Sequence, residues 1–137
     1  MKYTYNHKVQ YYETDQMGIV HHSNYIRWFE EARVEWLEQI GCTMQSIEAE
    51  DVLIPVMSVT CNYHSMVRFG DEVAVDIKIS KFNGIKIEME YEIRDVATRE
   101  LRTTGMSSHC FIDGAGKLIS IKKSKPEMYE KLLKGAE

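Results

Sequence analysis

The sequence predicts an α+β fold in which a curved antiparallel β-sheet wraps around one long α-helix. Three features support this prediction: an alternating segment at the N-terminus, one long amphipathic stretch after it, and four or five strand-like segments in the rest of the chain. A sheet of that size has one face that only the long helix can cover. Trp28 and Val34 lie off the main apolar stripe of the helix, which indicates that the helix is buried on several sides.

The first strand is predicted over Tyr3 to Tyr11, where aromatic and apolar side chains occupy every second position. The polar residues that follow end at Gly18, so the strand is expected to stop before that loop. The long helix is predicted to begin near Ser23 or Asn24, either of which could act as its N-cap. About 17 residues at helical spacing then lead to Gly41, which is predicted to end the helix.

Most of the remaining chain is predicted to be strand, with a short helix at its end. Asn83-Gly84 is a turn signal that indicates a hairpin, and Gly105 is a possible β-bulge. Pro126 can occupy the first turn of a terminal helix that ends near Lys134. The predicted strands cover residues 52–63, 72–79, 85–93, 101–112 and 118–121.

Length and composition favour one domain, spanning residues 1–137, and limit the classes of function. The formal charge of −4 gives no electrostatic reason to expect a nucleic acid partner. No apolar run resembles a signal peptide core or a membrane-spanning helix, so a cytoplasmic location without membrane insertion is expected. The spacing of Cys42, Cys61 and Cys110 indicates neither a disulfide framework nor a zinc ribbon.

The candidate chemistry lies in the polar loop between the first strand and the long helix. The start of a helix presents unpaired backbone N–H groups and a partial positive charge, which can stabilise a developing oxyanion. Asp15 lies seven residues before His22, so the loop could place a carboxylate opposite those donors, as acyl transfer requires. From the residues alone, a turn-forming Asp15 and packing or capping roles for His21 and His22 remain open.

The run YYETDQMGIVHHSNYIRWFEEAR resembles the signature of the 4-hydroxybenzoyl-CoA thioesterase-like family, which includes the Tol-Pal-associated acyl-CoA thioesterases. The family pattern is D-x-x-G-[IV]-V-x-[HY]-x-x-Y, followed by an aromatic and acidic helix. The resemblance implies a hot-dog fold, acyl-CoA thioester hydrolysis, and no metal or organic cofactor. The residues that match the pattern are Asp15, Gly18, Ile19, Val20, His22 and Tyr25.

The resemblance also implies a role for each matching residue. Asp15 corresponds to the catalytic carboxylate, acting as nucleophile or as general base. The backbone N–H of His22 corresponds to the donor that polarises the thioester carbonyl, and its side chain is expected to orient Asp15 or water. Gly18, Val20 and Tyr25 are expected to bind substrate, Gly18 by letting the loop turn closely past it. For Tyr25, a role in core packing stays open as well.

The segment of residues 62–68, NYHSMVR, resembles a strand-end loop near the active site that family members often supply from a partner subunit. His64 and Arg68 of this segment are therefore expected to bind substrate in a homodimer or homotetramer. Coenzyme A carries three phosphate groups and requires a basic rim. The candidates for that rim are Arg68, Lys81, Lys86, Lys122, Lys123 and Lys125.

Two other classes of function remain open. One is a hot-dog enoyl-CoA hydratase or dehydratase, although such enzymes carry a different aspartate–histidine motif. The other is a non-catalytic acyl-CoA-binding or regulatory module, which would not need to retain Asp15. Neither the acyl group nor the thiol carrier, coenzyme A or acyl carrier protein, can be read from the sequence.

Overall fold

A five-stranded antiparallel sheet and one long helix dominate the computed structural model, which describes residues 2–137. The strand order is β1-β3-β4-β5-β2, and every neighbouring pair is antiparallel. This architecture confirms the predicted α+β hot-dog fold. The strands are β1 (Lys2–Lys8), β2 (Val56–Tyr63), β3 (Glu72–Phe82), β4 (Lys86–Asp95) and β5 (Leu101–Cys110), and the helices are α1 (Ser23–Gln39), α2 (Met44–Ala49), α3 (Ile121–Ser124) and α4 (Pro126–Ala136).

Helix α1 has 17 residues and packs against the sheet. Trp28, Phe29 and Ala32 are fully buried, as expected for a helix enclosed on several sides. The prediction that Ser23 or Asn24 caps the helix is wrong, because the residue before the first turn is His22 and no side chain caps it.

The Asn24 side chain turns away from the end of its helix. Its Nδ2 donates hydrogen bonds to the backbone carbonyls of Glu13 and His21. Asn24 thereby holds the preceding loop, which explains why a residue type that favours capping does not cap here.

Three of the strands are shorter in the structure than predicted. The first strand stops at Lys8, because residues 11–13 form a short 3-10 helix. The second begins only at Val56, after Pro55, and Leu53 upstream makes a single bridge. The strand predicted over residues 118–121 is reduced to one bridge at Leu118, since Ile121 already starts α3.

Gly105 forms no bulge, contrary to the prediction. It pairs in register with Cys61 and Tyr91, and its role is steric. A Cβ atom at Gly105 would lie 2.6 Å from the ring of Phe29 and 2.7 Å from the carbonyl oxygen of Thr60. The absence of a side chain therefore lets α1 approach β5 closely.

The Asn83-Gly84 turn, the helix stop at Gly41 and the terminal helix agree with the sequence analysis. Asn83 accepts backbone hydrogen bonds from Ile85 and Lys86 in the β3–β4 hairpin. Gly41 adopts the left-handed conformation, with φ of 86°, after the end of α1. Helix α4 extends two residues beyond the predicted Lys134. Among the described residues, no helix combines the length and the apolar character needed to cross a membrane.

Candidate active site

The loop of residues 14–20 is a tight, internally bonded turn. The backbone N–H of Asp15 donates to the carbonyl of Ile19 at 2.9 Å, and that of Gly18 donates to the carbonyl of Asp15 at 3.0 Å. Thr14 and Val20 form an antiparallel bridge at the base of the turn. Gly18 has φ of 75°, a left-handed conformation that a side chain would strain, so glycine suits this position.

Backbone hydrogen bonds fix both ends of this loop to the rest of the fold. The N–H of Val20 donates to the carbonyl of Val67 at 2.8 Å, which ties the loop to the segment after β2. The N–H of His21 donates to the carbonyl of Glu13 at 2.9 Å. The loop is therefore held between the entry to β3 and the start of α1.

Asp15 is half-buried and has one carboxylate oxygen committed to the turn. Its Oδ1 accepts a 2.8 Å hydrogen bond from the backbone N–H of Met17. Its Oδ2 accepts no hydrogen bond from any residue in 2–137. Asp15 therefore forms the turn, as one sequence interpretation held, and still presents a free oxygen for chemistry.

The start of α1 supplies a free backbone donor. The N–H of Asn24 donates to the carbonyl of His21, and that of Ser23 contacts Nδ1 of His21. By contrast, the backbone N–H of His22 finds no acceptor in the part of the chain that the structure describes. A donor at a helix start can stabilise negative charge on a carbonyl oxygen.

A cavity of about 350 Å³ brings these groups together. It contains five of the seven predicted site residues: Asp15, Val20, His22, Tyr25 and His64. Gly18 and Arg68 do not line it. Gly18 shapes the loop behind the cavity, and Arg68 is exposed and pairs through its backbone with Ile19. The other lining residues are Met17, Ile19, Tyr63, Ser65 and Met66.

Tyr63 is a site residue that the sequence analysis did not identify. Its hydroxyl donates a 3.0 Å hydrogen bond to the backbone carbonyl of His22. Its ring packs edge-on against Tyr25, with the ring centroids 5.0 Å apart. Burial is the main cause that raises the pKa of both tyrosines, so both hydroxyls stay protonated at neutral pH and can donate hydrogen bonds. Only its position at the end of a strand, beside His64, could have suggested this role.

A second cavity, of about 290 Å³, lies farther along α1 and beside the start of β2. Its walls are largely apolar, but Glu30, Arg33 and His109 also line it. His109 is buried and bonds through Nε2 to the Ser107 hydroxyl at 2.8 Å. Burial, followed by the positive charge of Arg33, lowers the pKa of His109 to about 4. The cavity therefore holds a neutral imidazole at physiological pH.

The described residues contain no group of three His, Cys, Asp or Glu side chains placed to hold a metal ion. The three cysteines are free thiols. Asp15 and His22 line the same cavity, and the Asp15 carboxylate and the His22 backbone N–H are groups of the kind that acyl transfer uses.

Comparison with known proteins agrees with the fold and identifies the family. The model of the thioesterase-like superfamily matches residues 9–134. The protein YneP of Bacillus subtilis is 35% identical over 131 residues, which cover 93% of this chain and 94% of YneP. The acyl-CoA thioesterase YbgC of Haemophilus influenzae is 28% identical over 130 residues, covering 94% of this chain and 89% of YbgC.

A solved structure supports the same assignment. The DHNA-CoA thioesterase from Staphylococcus aureus superimposes with a TM-score of 0.91 and 28% sequence identity, covering 97% of this chain and 89% of that one. The fold, the family match over nearly the whole chain and the aspartate loop at the helix start agree. The chain belongs to the thioesterase-like superfamily and is a thioester hydrolase.

Proposed function

We propose that this chain hydrolyses acyl-CoA thioesters to a free carboxylic acid and coenzyme A, with Asp15 as its catalytic carboxylate. The observation that carries the proposal is the shared cavity, in which Asp15 keeps one oxygen free and the His22 backbone N–H has no acceptor among the described residues. The names of the relatives YbgC and DHNA-CoA thioesterase support coenzyme A as the thiol.

Asp15 can act in either of two ways. As nucleophile, its free oxygen bonds to the acyl carbon, the C–S bond breaks, and the thiolate leaves and takes a proton from water. A second water then hydrolyses the mixed anhydride and restores the carboxylate. As general base, Asp15 takes a proton from water, the hydroxide attacks the acyl carbon, and the leaving thiolate receives that proton. In both routes the carbonyl oxygen becomes negative beside the His22 N–H.

A single turnover in H₂¹⁸O separates the two routes. Label recovered in the Asp15 side chain identifies the nucleophilic route, because the anhydride is then opened at the aspartyl carbon. If label appears only in the product acid and an anhydride cannot be trapped with hydroxylamine, the general-base route holds.

The remaining site residues are proposed to bind and orient the substrate. Val20 and Tyr25 form cavity walls, and Gly18 allows the loop to turn behind the thioester. His64 lies at the same cavity and Arg68 lies on the exposed side of the loop, where it could meet a coenzyme A phosphate. This mechanism requires no cofactor. The protein is proposed to be cytoplasmic, which cell fractionation would test.

We also propose that a second copy of this chain pairs with β2. The sheet has two edges, and β1 carries Lys2 and Lys8 whereas β2 has no charged residue at all. Edge strands that must stay unpaired usually carry such charges. An apolar row runs along the face of β2 that is directed toward α1 and consists of Val56, Val59, Cys61 and Tyr63. The row remains accessible, because Val56 is 50% and Tyr63 is 48% exposed. A second copy would cover this row.

Antiparallel pairing about a two-fold axis has a consequence for the substrate. It would set the Tyr63 end of β2 in one copy beside the Val56 end in the other. The Asp15 site of one copy would then adjoin the second cavity of the other, whose largely apolar lining also includes Glu30, Arg33 and His109. We propose that this cavity receives the acyl group. Light scattering of the purified protein would give the oligomeric state, dimer or tetramer.

Thiol release from a substrate panel tests the proposed activity. The panel contains aliphatic acyl-CoAs from C4 to C18, benzoyl-CoA and phenylacetyl-CoA, and the matching acyl carrier protein thioesters. Release from at least one acyl-CoA supports the proposal and begins to define the acyl group. Binding of acyl-CoA without thiol release would favour a non-catalytic module, and hydration of an enoyl-CoA would favour the hydratase alternative.

A further inference from the structure

A buried carboxylate lies two residues before Asp15. Glu13 is 4% exposed and accepts three hydrogen bonds. They come from the indole Nε1 of Trp28 at 2.7 Å, the backbone N–H of Gln10 at 2.7 Å and Nε2 of His7 at 2.8 Å. Burying an ionised carboxylate is costly unless its oxygens are satisfied in this way. Glu13 therefore occupies a built polar site within an apolar core.

The three donors come from different parts of the fold. His7 belongs to β1, Gln10 to the turn after it and Trp28 to the second turn of α1. Burial raises the pKa of Glu13, but the hydrogen bonds outweigh it, so the net pKa is lowered and the carboxylate stays ionised at neutral pH. On its other side, Nδ1 of His7 faces the hydroxyl of Tyr5 at 3.3 Å and the carboxylate of Glu31 at 3.4 Å, which extends the network along α1.

The backbone carbonyl of Glu13 holds the C-terminal end of the active-site loop. Its carbonyl accepts the N–H of His21 and the Nδ2 of Asn24, both at 2.9 Å. The residues that immediately follow Glu13 begin the loop, and His21 ends it. One residue thus joins β1, both ends of the loop and the first turn of α1.

We propose that Glu13 is a positioning residue that, through Trp28 and His7, sets the placement of the Asp15 carboxylate relative to the His22 backbone N–H. This inference rests on the proposed role of Asp15. Glu13 itself does not line the cavity and touches no substrate. A displacement of about 1 Å at reacting groups can cost about 100-fold in rate, so a buried anchor two residues away can control turnover.

The variant Glu13→Gln tests the proposal. The amide keeps the shape of the side chain but places an NH₂ group against a donor, either Trp28 Nε1–H or the Gln10 backbone N–H. We expect kcat to fall by about 10- to 100-fold and KM to change by less than about twofold, because the cavity walls are unaltered. Glu13→Asp, which keeps the charge, should recover part of the rate.

Asp76→Asn is the matched control. Asp76 is also a buried carboxylate, 7% exposed, but it bonds to Thr4 and Lys2 between β1 and β3, away from the loop. It should lose stability as Glu13→Gln does and keep the wild-type kcat. If the two variants lose stability equally and both keep kcat, Glu13 is only structural and the proposal is wrong.

Two further variants make the outcome decisive. If Glu13→Gln does not fold, Trp28→Phe removes one of the three donors, leaves the carboxylate in place, and should lower kcat in the same direction by a smaller factor. An unchanged kcat in folded Trp28→Phe would then overturn the proposal. Normal turnover in Asp15→Asn would overturn the proposed catalytic role and this inference together, whereas normal turnover in Glu13→Gln alone would overturn only the inference.

Discussion

The hydroxyl of Tyr63, at the end of edge strand β2, donates a 3.0 Å hydrogen bond to the backbone carbonyl of His22, at the start of α1. Both residues line the cavity that Asp15 also lines. It joins the strand that is exposed at the sheet edge to the residue whose N–H is the proposed oxyanion donor. The position of that donor therefore depends on the sheet edge as well as on the helix.

Tyr63→Phe should weaken catalysis without unfolding the protein. One hydrogen bond contributes about 1 kcal/mol, so its loss should lower kcat/KM about fivefold if the bond holds the donor in place. Steady-state thiol release measures this. Tyr12→Phe is the control, because Tyr12 is exposed and its hydroxyl makes no hydrogen bond within residues 2–137. Equal rates in both variants would show that the Tyr63 hydroxyl does not support turnover.

Gly105→Ala should be strongly destabilising. The added Cβ would lie 2.6 Å from the Phe29 ring and 2.7 Å from the Thr60 carbonyl oxygen, so strand or helix must shift. Overpacking of this kind costs about 1–3 kcal/mol. Urea denaturation should show a lower midpoint with an unchanged slope. The double variant with Phe29→Leu should lose less than the sum of the single losses, because a smaller side chain relieves one of the two clashes.

His109 should make folding stability depend on pH. Burial and the Arg33 charge lower its folded-state pKa to about 4 from the ordinary value of 6.5. Below pH 6.5 the unfolded chain binds a proton that the folded chain does not bind until about pH 4. The free energy of unfolding should therefore fall by on the order of 3 kcal/mol as pH decreases through that window.

His109→Gln removes this titration. Urea melts between pH 4 and 6.5 should show a shallower loss of stability than the wild type, whatever the change in absolute stability. The exposed residue His21 supplies the control substitution, His21→Gln, against which the slope of His109→Gln is compared. An unchanged slope in His109→Gln would mean that other groups cause the pH dependence.

Charge on the β2 edge should prevent the proposed pairing. Val59→Lys places an ammonium group in the apolar row of that strand, where a second copy would have to bury it. Light scattering should give a smaller species than the wild type, and turnover should fall with it, because the proposed acyl cavity would come from the second copy. Asn6→Lys makes the same change on the β1 edge and should alter neither. An unchanged mass for Val59→Lys would exclude β2 as the interface.

Much of the fold could be predicted because local patterns and tertiary packing agree. The spacing of apolar residues in α1 and the Asn83-Gly84 turn both match the structure. Gly105 was misread because the same residue type marks a bulge or a close contact, and only the position of Phe29 decides between them. The N-cap was misread because Asn24 bonds to a distant backbone carbonyl, that of Glu13, instead of to its own helix.

The candidate site likewise contains residues that the sequence could identify and residues that it could not. Asp15, Val20, His22 and Tyr25 could be proposed because they match the family signature, and they line one cavity. Tyr63 and the anchor Glu13 could not be identified, because their roles depend on contacts between residues 41 and 15 positions apart in sequence. Such contacts form only when β2 and β1 are placed beside α1.

Thiol release by Asp15→Asn, compared with the wild type and with Asp113→Asn, tests the central claim most directly. Asparagine keeps the turn acceptor at both positions, because Asp15 and Asp113 each accept backbone N–H bonds through Oδ1. The account predicts that Asp15→Asn folds normally and loses nearly all turnover, while Asp113→Asn keeps the wild-type rate. Turnover by Asp15→Asn at the rate of Asp113→Asn would contradict it and remove Asp15 from the mechanism.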